Sequence, residues 1–371
     1  MIDVIVPVFR GAAATKRCLE SVLASAQRAA TCVVVVDDAS PEAEISAYVD
    51  ALATGRRVEL VQSERNLGFV RAVNLGMAKH PDRDVVLLNS DTEVANDWLD
   101  RLAACAAREA NIGTVTPFSN QATICSYPFE GWTGGVPGGL GLSALDALFA
   151  SINAARSEDL PTAVGFCMYI RRKCLEAVGL FDEERFGRGY GEENDFCLRA
   201  AEAGWRNVVA ADVFVFHEGA VSFASEREAL MDAAGRLLVE RHPNYPNNVC
   251  AFVAADPLRG FRSAVDEARR AHSHDEAMHV YDERVLECDL LRSRVTARAR
   301  EVDATARETR LLREGLAHAE SLVRERDAEI SRLTAAFAHA ESLALDRGRE
   351  LARINASTFG KVARYLAREK P

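Results

Sequence analysis

The sequence predicts an α/β domain with a mostly parallel sheet and helices on both faces, followed by a long α-helical coiled coil. Three observations predict it. Residues 1 to about 117 alternate short apolar runs with amphipathic stretches, the pattern of repeated strand–helix–strand units. Two of those runs end abruptly in acidic residues, Asp37-Asp38 and Asp91, where open α/β sheets meet their ligands. From position 281 onward, apolar residues recur at intervals of seven, with charges between them and no proline before Pro371.

The elements follow in order. Residues 2–8 read as a strand, 15–29 as a helix with Leu19, Val22 and Leu23 inward, and 33–36 as a fully buried strand ending in Asp37-Asp38-Ala39-Ser40-Pro41. Helix 42–53, strand 58–62, loop 63–68 and helix 69–79 come next. Strand 84–88 carries Asn89-Ser90-Asp91-Thr92 at its end, and helix 97–110 and strand 114–117 complete the pattern. Asp38 suits either an Asx-turn or cap before Pro41 or a ligand contact. Asp91 stands too early to cap the helix at Asp97 and reads as functional. No glycine-rich GxGxxG or P-loop follows the first strand, which speaks against a nicotinamide dehydrogenase or a P-loop NTPase.

Residues 118–162 are less regular, and the stretch GWTGGVPGGLG at 131–141 suits either a mobile lid or an ordinary connector. A strand at 164–170 and a helix near 173–178 lead to GYGEENDFCLRAAEAGW at 189–205. Here Glu192, Glu193 and Asp195 open a helix that Gly204 ends. Acids in a first turn commonly do no more than complement the helix dipole. A valine-rich strand at 213–216, however, delivers His217 at its C-terminal end. A carboxylate at a helix start and a histidine at a strand end can face one cleft.

Composition narrows the function. The chain has 371 residues, 48% hydrophobic and 27% charged, long enough for two or three domains with a sizeable core. A net charge of −10 disfavours nucleic acid as a partner. The nine cysteines are scattered and never spaced as CxxC, which points to reduced thiols and a cytoplasmic setting, and away from zinc or disulfides. No run nears the ~18 apolar residues of a membrane span, and the start MIDVIVPVF lacks the character of a signal peptide.

In the heptad region Tyr281, Cys288, Val295, Val302, Thr309, Leu316, Val323, Ile330, Phe337, Ala344 and Leu351 form the seam. Leu291, Leu312, Ala319, Leu333, Ala340 and Ile354 fill companion positions, while Arg284, Arg298, Arg326 and Arg347 interrupt them. Residues 316–333 and 337–354 resemble each other at an offset of three heptads, which fits a coiled coil joining copies into a homo-oligomer. The tail groups Phe359, Val362, Ala363 and Leu366 on one face, ringed by Lys361, Arg364, Arg368 and Lys370. Such an end suits peripheral contact with an anionic membrane surface, such as the inner face of the plasma membrane, or merely ends the helix. The expected division is a catalytic-type domain at 1–256, a helical linker at 257–280, the coiled coil at 281–356 and a basic amphipathic tail at 357–371.

DVIVPVF, VVVVDDAS, ERNLGFVRAVNLGM, VVLLNSDTEV, VGLFDEERFGRGYGEENDFCLRAAEAGW and FVFHEG, in that order, resemble the family-two inverting glycosyltransferases of the GT-A fold. The resemblance covers roughly residues 1–255. It implies a nucleotide-sugar donor, UDP- or dTDP-linked, a divalent cation (Mn²⁺ or Mg²⁺), and a glycan acceptor, lipid-linked acceptors included. Transfer of a hexose or deoxyhexose in bacterial surface polysaccharide synthesis fits that family. Carried over block by block, Pro7 and Phe9 lie by the nucleobase, Asp38 hydrogen-bonds the base, and Arg71 and Ser90 join the nucleotide contacts. Asn89-Ser90-Asp91 occupies the metal motif, usually Asp-x-Asp, so asparagine at its first position leaves Asp91 as the sole carboxylate there. His217 matches a further metal ligand.

By the same resemblance Glu193 stands where the family's catalytic base is usually aspartate, with Glu192 and Asp195 orienting base or acceptor. Inverting transfer needs a carboxylate that removes the acceptor hydroxyl proton, and the helix dipole is expected to keep Glu193 ionised. The metal would neutralise the departing diphosphate, and oxygen ligands with one imidazole suit Mn²⁺ or Mg²⁺. The alternative is a catalytically degenerate domain serving as a coiled-coil scaffold, supported by Asn89 alone. A nucleotidyltransferase is a third reading, but Phe9-Arg10-Gly11-Ala12 offers only a weak echo of its glycine- and arginine-rich loop.

Overall fold

The computed structural model describes residues 1–187, 189–219 and 224–366, and not the side chains of 224–229, 354–360 and 362–366. Its residues fall into two compact units, Met1–Glu287 and Cys288–Pro371. The first unit opens with β1 (Ile2–Val8), α1 (Ala12–Ala24), β2 (Thr31–Asp37), α2 (Ala43–Thr54), β3 (Glu59–Gln62), α3 (Phe69–Lys79) and β4 (Asp84–Leu88). It continues through β5 (Thr92–Glu93), α4 (Trp98–Ala107), β6 (Ile112–Phe118), α5 (Leu142–Ile152), β7 (Ser157–Leu160) and β8 (Cys167–Ile170). Next come α6 (Arg172–Val178), α7 (Glu183–Phe186), α8 (Glu192–Glu202), β9 (Arg206–Phe214) and β10 (Phe216–His217). The helices α9 (Ala224–Arg241), α10 (Tyr245–Ala255), α11 (Arg259–His272) and α12 (His274–Leu366) end the chain's described course.

Eight strands form one sheet in the order β3-β2-β1-β4-β8-β6-β9-β7. Strands β3, β2, β1 and β4 pair in parallel, as do β6 and β9, while β8 and β7 run antiparallel to their neighbours. Side chains alternate across a strand, so each buried strand feeds two cores. Val4, Val6, Val33 and Val35 join α1, α2 and α4 on one face. Ile5, Val34, Val36, Val85 and Leu87 join α3, α6 and α8 on the other. The mostly parallel sheet with helices on both faces is the expected one.

Strand β8 determines what reaches the site. It runs antiparallel between β4 and β6, with Cys167 beside Leu88 and Ile170 beside Val85. Its entry segment, Val164–Gly165–Phe166, therefore arrives at the C-terminal edge of the parallel strands. A small second sheet pairs β10 with β5, setting His217 opposite Thr92.

The first unit extends past the residues that read as a linker. Arg269 on α11 has no exposed surface, and its guanidinium meets Glu276 at 2.8 Å, Glu283 at 2.7 and 2.9 Å and the Tyr127 hydroxyl at 3.0 Å. Tyr127 donates to Asp266 at 2.8 Å, and Arg284 also pairs with Asp266. The start of α12 is thus bound into the first core. From Cys288 onward, Val295, Val302, Leu312, Leu316, Val323, Ile330, Leu333, Phe337 and Leu351 are all exposed on a continuous helix. Most of the amphipathic tail (Phe359, Val362, Ala363, Arg364, Leu366, Arg368, Lys370) lies outside the described residues or side chains, and only the exposed Lys361 is described. No helix among the described residues is long and apolar enough to cross a membrane.

Candidate functional site

Three groups of residues gather at the C-terminal edge of the parallel strands. The first is the pair Asp91 and His217. Strand pairing and a bond from the Glu218 amide to the Asp91 carbonyl (2.9 Å) bring the two chains together. The Asp91 carboxylate then stands 3.4 Å from His217 Nε2, both side chains largely buried. His217 Nδ1 lies 2.8 Å from the Gln121 carbonyl oxygen. A carbonyl can only accept, so Nδ1 carries a proton, and in the neutral imidazole the Nε2 lone pair is the one that faces the carboxylate. Two electron-rich atoms held together this way fit a shared cation, and an imidazole whose other nitrogen donates to a carbonyl is a well-prepared metal ligand. Among the described residues no group of three or more His, Cys, Asp or Glu could hold a metal. The remaining coordination positions would fall to substrate oxygens and water, as hard divalent cations commonly allow. Asn89 and Ser90 stand half-buried beside Asp91, with the Asn89 amide bonded to the Phe166 carbonyl at 2.8 Å.

The second group stands at the ends of β1 and β2. Pro7 is half-buried beside Val36, and the Phe9 carbonyl accepts from Ser40 Oγ at 2.7 Å. Asp38 is buried, and its carboxylate accepts from the amides of Leu67 (2.7 Å) and Gly68 (2.9 Å) and from the Asn66 carboxamide (2.9 Å). It clasps the loop before α3 with most of its accepting capacity, which leaves at most one lone pair for a base. Asp37 does the same locally, accepting from the Ser40 amide (2.9 Å) and Ser46 hydroxyl (3.0 Å). Arg71, one turn into α3, is half-exposed and 3.5 Å from Glu183.

The third group opens α8, whose N-cap Gly191 has φ 87°, a left-handed conformation that glycine adopts without strain. Glu192 is 4% exposed and its Oε2 has no hydrogen-bond partner. Glu193 is half-buried, with Asn194 Nδ2 donating to it at 3.2 Å. At Glu193 desolvation opposes the helix dipole. Burial pushes both carboxyls up, Glu192 the further because the Glu193 charge adds to it, while first-turn amides pull Glu193 partly back. Asp195 is placed elsewhere. Fully buried, it meets Arg199 (2.8 Å), Arg241 (3.0 Å) and His242 (3.1 Å), tying α8 to α9.

The β8 entry segment joins the first and third groups. The Phe166 ring stacks on His217 at 5.1 Å, and a Cβ on Gly165 would sit 3.3 Å from Glu193 Cγ. Neither residue is singled out by the sequence reading, which registers this stretch only as a strand. Asn120 and Gln121, which hold His217, are missed as well. Their signal is visible in retrospect, because they follow the end of β6 as Asp38 follows β2 and Asp91 follows β4.

Residues 3–179 match the family described as Glycosyl transferase family 2. Over that stretch, just under half of the chain, the sequence is similar to family-two glycosyltransferases. The fold expected with that family is the sheet described above. Among solved structures, the chain is similar to GalNAc-T7 with UDP, GalNAc and Mn²⁺ at 17% identity and TM-score 0.48, covering 72% of this chain and 54% of that one. It is also similar to the mannosyltransferase PcManGT from Pyrobaculum calidifontis with GDP-Man and Mn²⁺, at 18% identity and TM-score 0.48, covering 77% and 79%. The S. aureus TarS structure gives 17% identity and TM-score 0.41, covering 64% and 39%. The chain thus spans about half the length of the first of these. A comparison with curated proteins returned no match.

Proposed function

We propose that the chain is a family-two glycosyltransferase that moves a hexose or deoxyhexose, with inversion, from a UDP- or dTDP-linked donor to a glycan hydroxyl. The observation that carries the proposal is the gathering of Asp91, His217 and Glu193 around Gly165 and Phe166. Asp91 and His217 would hold Mn²⁺ or Mg²⁺, which supplies charge neutralisation for the diphosphate that leaves. Glu193 accepts the acceptor hydroxyl proton as that oxygen forms its bond to the anomeric carbon and the bond to the diphosphate oxygen breaks, its electron pair staying with the diphosphate. Raised by burial, Glu193 is a stronger base than an exposed glutamate. Glu192 is raised further by burial and by the Glu193 charge beside it, which disfavours two charges on the adjacent carboxyls. Asp38 shapes the nucleotide side by fixing residues 66–68 ahead of Arg71. Asp195 positions the α8 start through α9 and touches no substrate.

The exposed apolar stripe on α12 supports pairing of copies through residues 288–356, because a solvated helix gains nothing by repeating bulky apolar residues every seventh position. Bacterial surface polysaccharide is the acceptor class we favour, with the enzyme working in the cytoplasm at the inner membrane face.

Nucleotide release from UDP-, dTDP- and GDP-sugars, with Mn²⁺ and with chelator, tests the reading. Release from one donor, abolished by chelator and reduced in Asp91→Asn, is expected. Equal release and donor affinity with and without metal would remove the metal role. Neither binding nor release across the panel would favour the scaffold.

A further inference from the structure

We propose that Asn120 is a positioning residue for His217, and that it sets the imidazole and the glycine-rich loop 131–141 as one piece. The inference rests on the metal-ligand reading of His217. Asn120 is 1% exposed, and its carboxamide is fully used. Oδ1 accepts from the His217 amide at 2.8 Å and from the Ser119 hydroxyl at 3.2 Å. Nδ2 donates to the His217 carbonyl at 2.8 Å and to the Gly134 carbonyl at 2.8 Å. A carboxamide has two donors and two acceptor sites, so no capacity is left and its orientation is fixed.

Gln121 completes the hold. Its carbonyl accepts from His217 Nδ1, and its side chain donates to the Thr133 carbonyl at 2.9 Å. Gly219 makes room for that side chain, since a Cβ there would lie 1.8 Å from Gln121 Oε1. The amide, carbonyl and Nδ1 of His217 each meet Asn120 or Gln121, and Nε2 is the polar atom turned to Asp91. The same two side chains hold Thr133 and Gly134. At its far end the loop is held again, by the Gly139 amide on Glu276 at 2.6 Å, with Glu276 paired to Arg269. A loop fastened at both ends is a fixed wall of the ligand corner and not a free lid.

The test is Mn²⁺ affinity of the full chain with a nucleoside diphosphate, followed by electron paramagnetic resonance, for wild type, Asn120→Ala, Asn120→Asp and His217→Ala. Alongside it, long-range ¹H–¹⁵N correlation reads the His217 tautomer, assigned by its disappearance in His217→Ala. Removing an outer partner of a metal-binding histidine typically weakens metal binding about 10–100-fold, and Asn120→Ala is expected in that range with loss of the uniform Nδ1–H tautomer. Asn120→Asp keeps the acceptor and loses both donors. It should weaken binding even though its added negative charge attracts a cation, and it carries the test if Asn120→Ala does not fold. Wild-type affinity in Asn120→Ala with lost affinity in His217→Ala would overturn the inference and leave the metal reading standing. Unchanged affinity in His217→Ala would instead sink the metal reading. The tautomer then decides the positioning role, which stands if Asn120→Ala shifts it and falls if it does not.

Discussion

Glu193 and Asp195 stand two residues apart at the start of α8, and the helical repeat turns them to different surroundings. Asp195 is enclosed by Arg199, Arg241 and His242, whereas Glu193 stays half-buried against Gly165. Glu192 goes the other way, buried with an oxygen that no donor satisfies. Its folded-state pKa is raised, so the native chain holds that proton more tightly than the unfolded chain, and stability falls as pH rises above the ordinary glutamate value. Glu192→Gln mimics the protonated form. In thermal melts its advantage over wild type should be absent near pH 4 and grow to a few degrees by about pH 8. A gap that is constant with pH, or that reverses, would contradict the assignment. Asp38 offers a second test at this scale. Replacing it with alanine strands the buried Gly68 amide, at about 1–3 kcal/mol, and the part-buried Leu67 amide, so Asp38→Ala should lower Tm without any nucleotide present. An unchanged Tm would show that the carboxylate is kept for ligand and not for loop 66–68.

At the scale of elements, the parallel half was legible because its strands carry unbroken valine runs between turn signals. Residues 2–8, 69–79 and 84–88 coincide with β1, α3 and β4. Helix α1 sits earlier than its apolar positions suggest, because Glu42 accepts from the Gly11 and Ala12 amides (3.0 Å each) and so caps it from thirty residues away. The second half was less legible. Strand β9 covers Arg206–Phe214, and buried Asn207 and Asp212 break its apolar run, so only its last residues read as a strand. Their partners, Thr114 and the Ala155 amide, lie far off in sequence. The site followed the same division. Acids at strand ends and the α8 start were readable as residues. Phe166 acts through tertiary contacts that no local pattern carries, and Asn120 and Gln121 are marked only by their place after the end of β6. The root of α12 is testable as an element. A chain ending at residue 280 lacks Glu283 and leaves Arg269 with part of its ion pairing, whereas one ending at residue 287 keeps it. Breaking a buried pair this way costs about 3–5 kcal/mol, so the shorter chain should melt roughly 5–15 °C lower. Equal Tm values would mean that the cluster does not brace the first unit.

For the whole molecule, the account assigns catalysis to the first unit and association to the second. Light scattering should therefore give a lower oligomeric state for a chain ending at residue 287 than for the full chain, with donor binding retained; an unchanged state would place the contact between copies in the first unit. The central claim is that Glu193 takes the acceptor proton while Asp91 and His217 carry the metal. The most direct measurement is acceptor-dependent nucleotide release by wild type and Glu193→Gln at saturating Mn²⁺ and donor, with donor affinity read in the same samples. The account predicts a fall in turnover of about 10²–10⁴-fold with donor affinity preserved. Wild-type turnover in Glu193→Gln would contradict it.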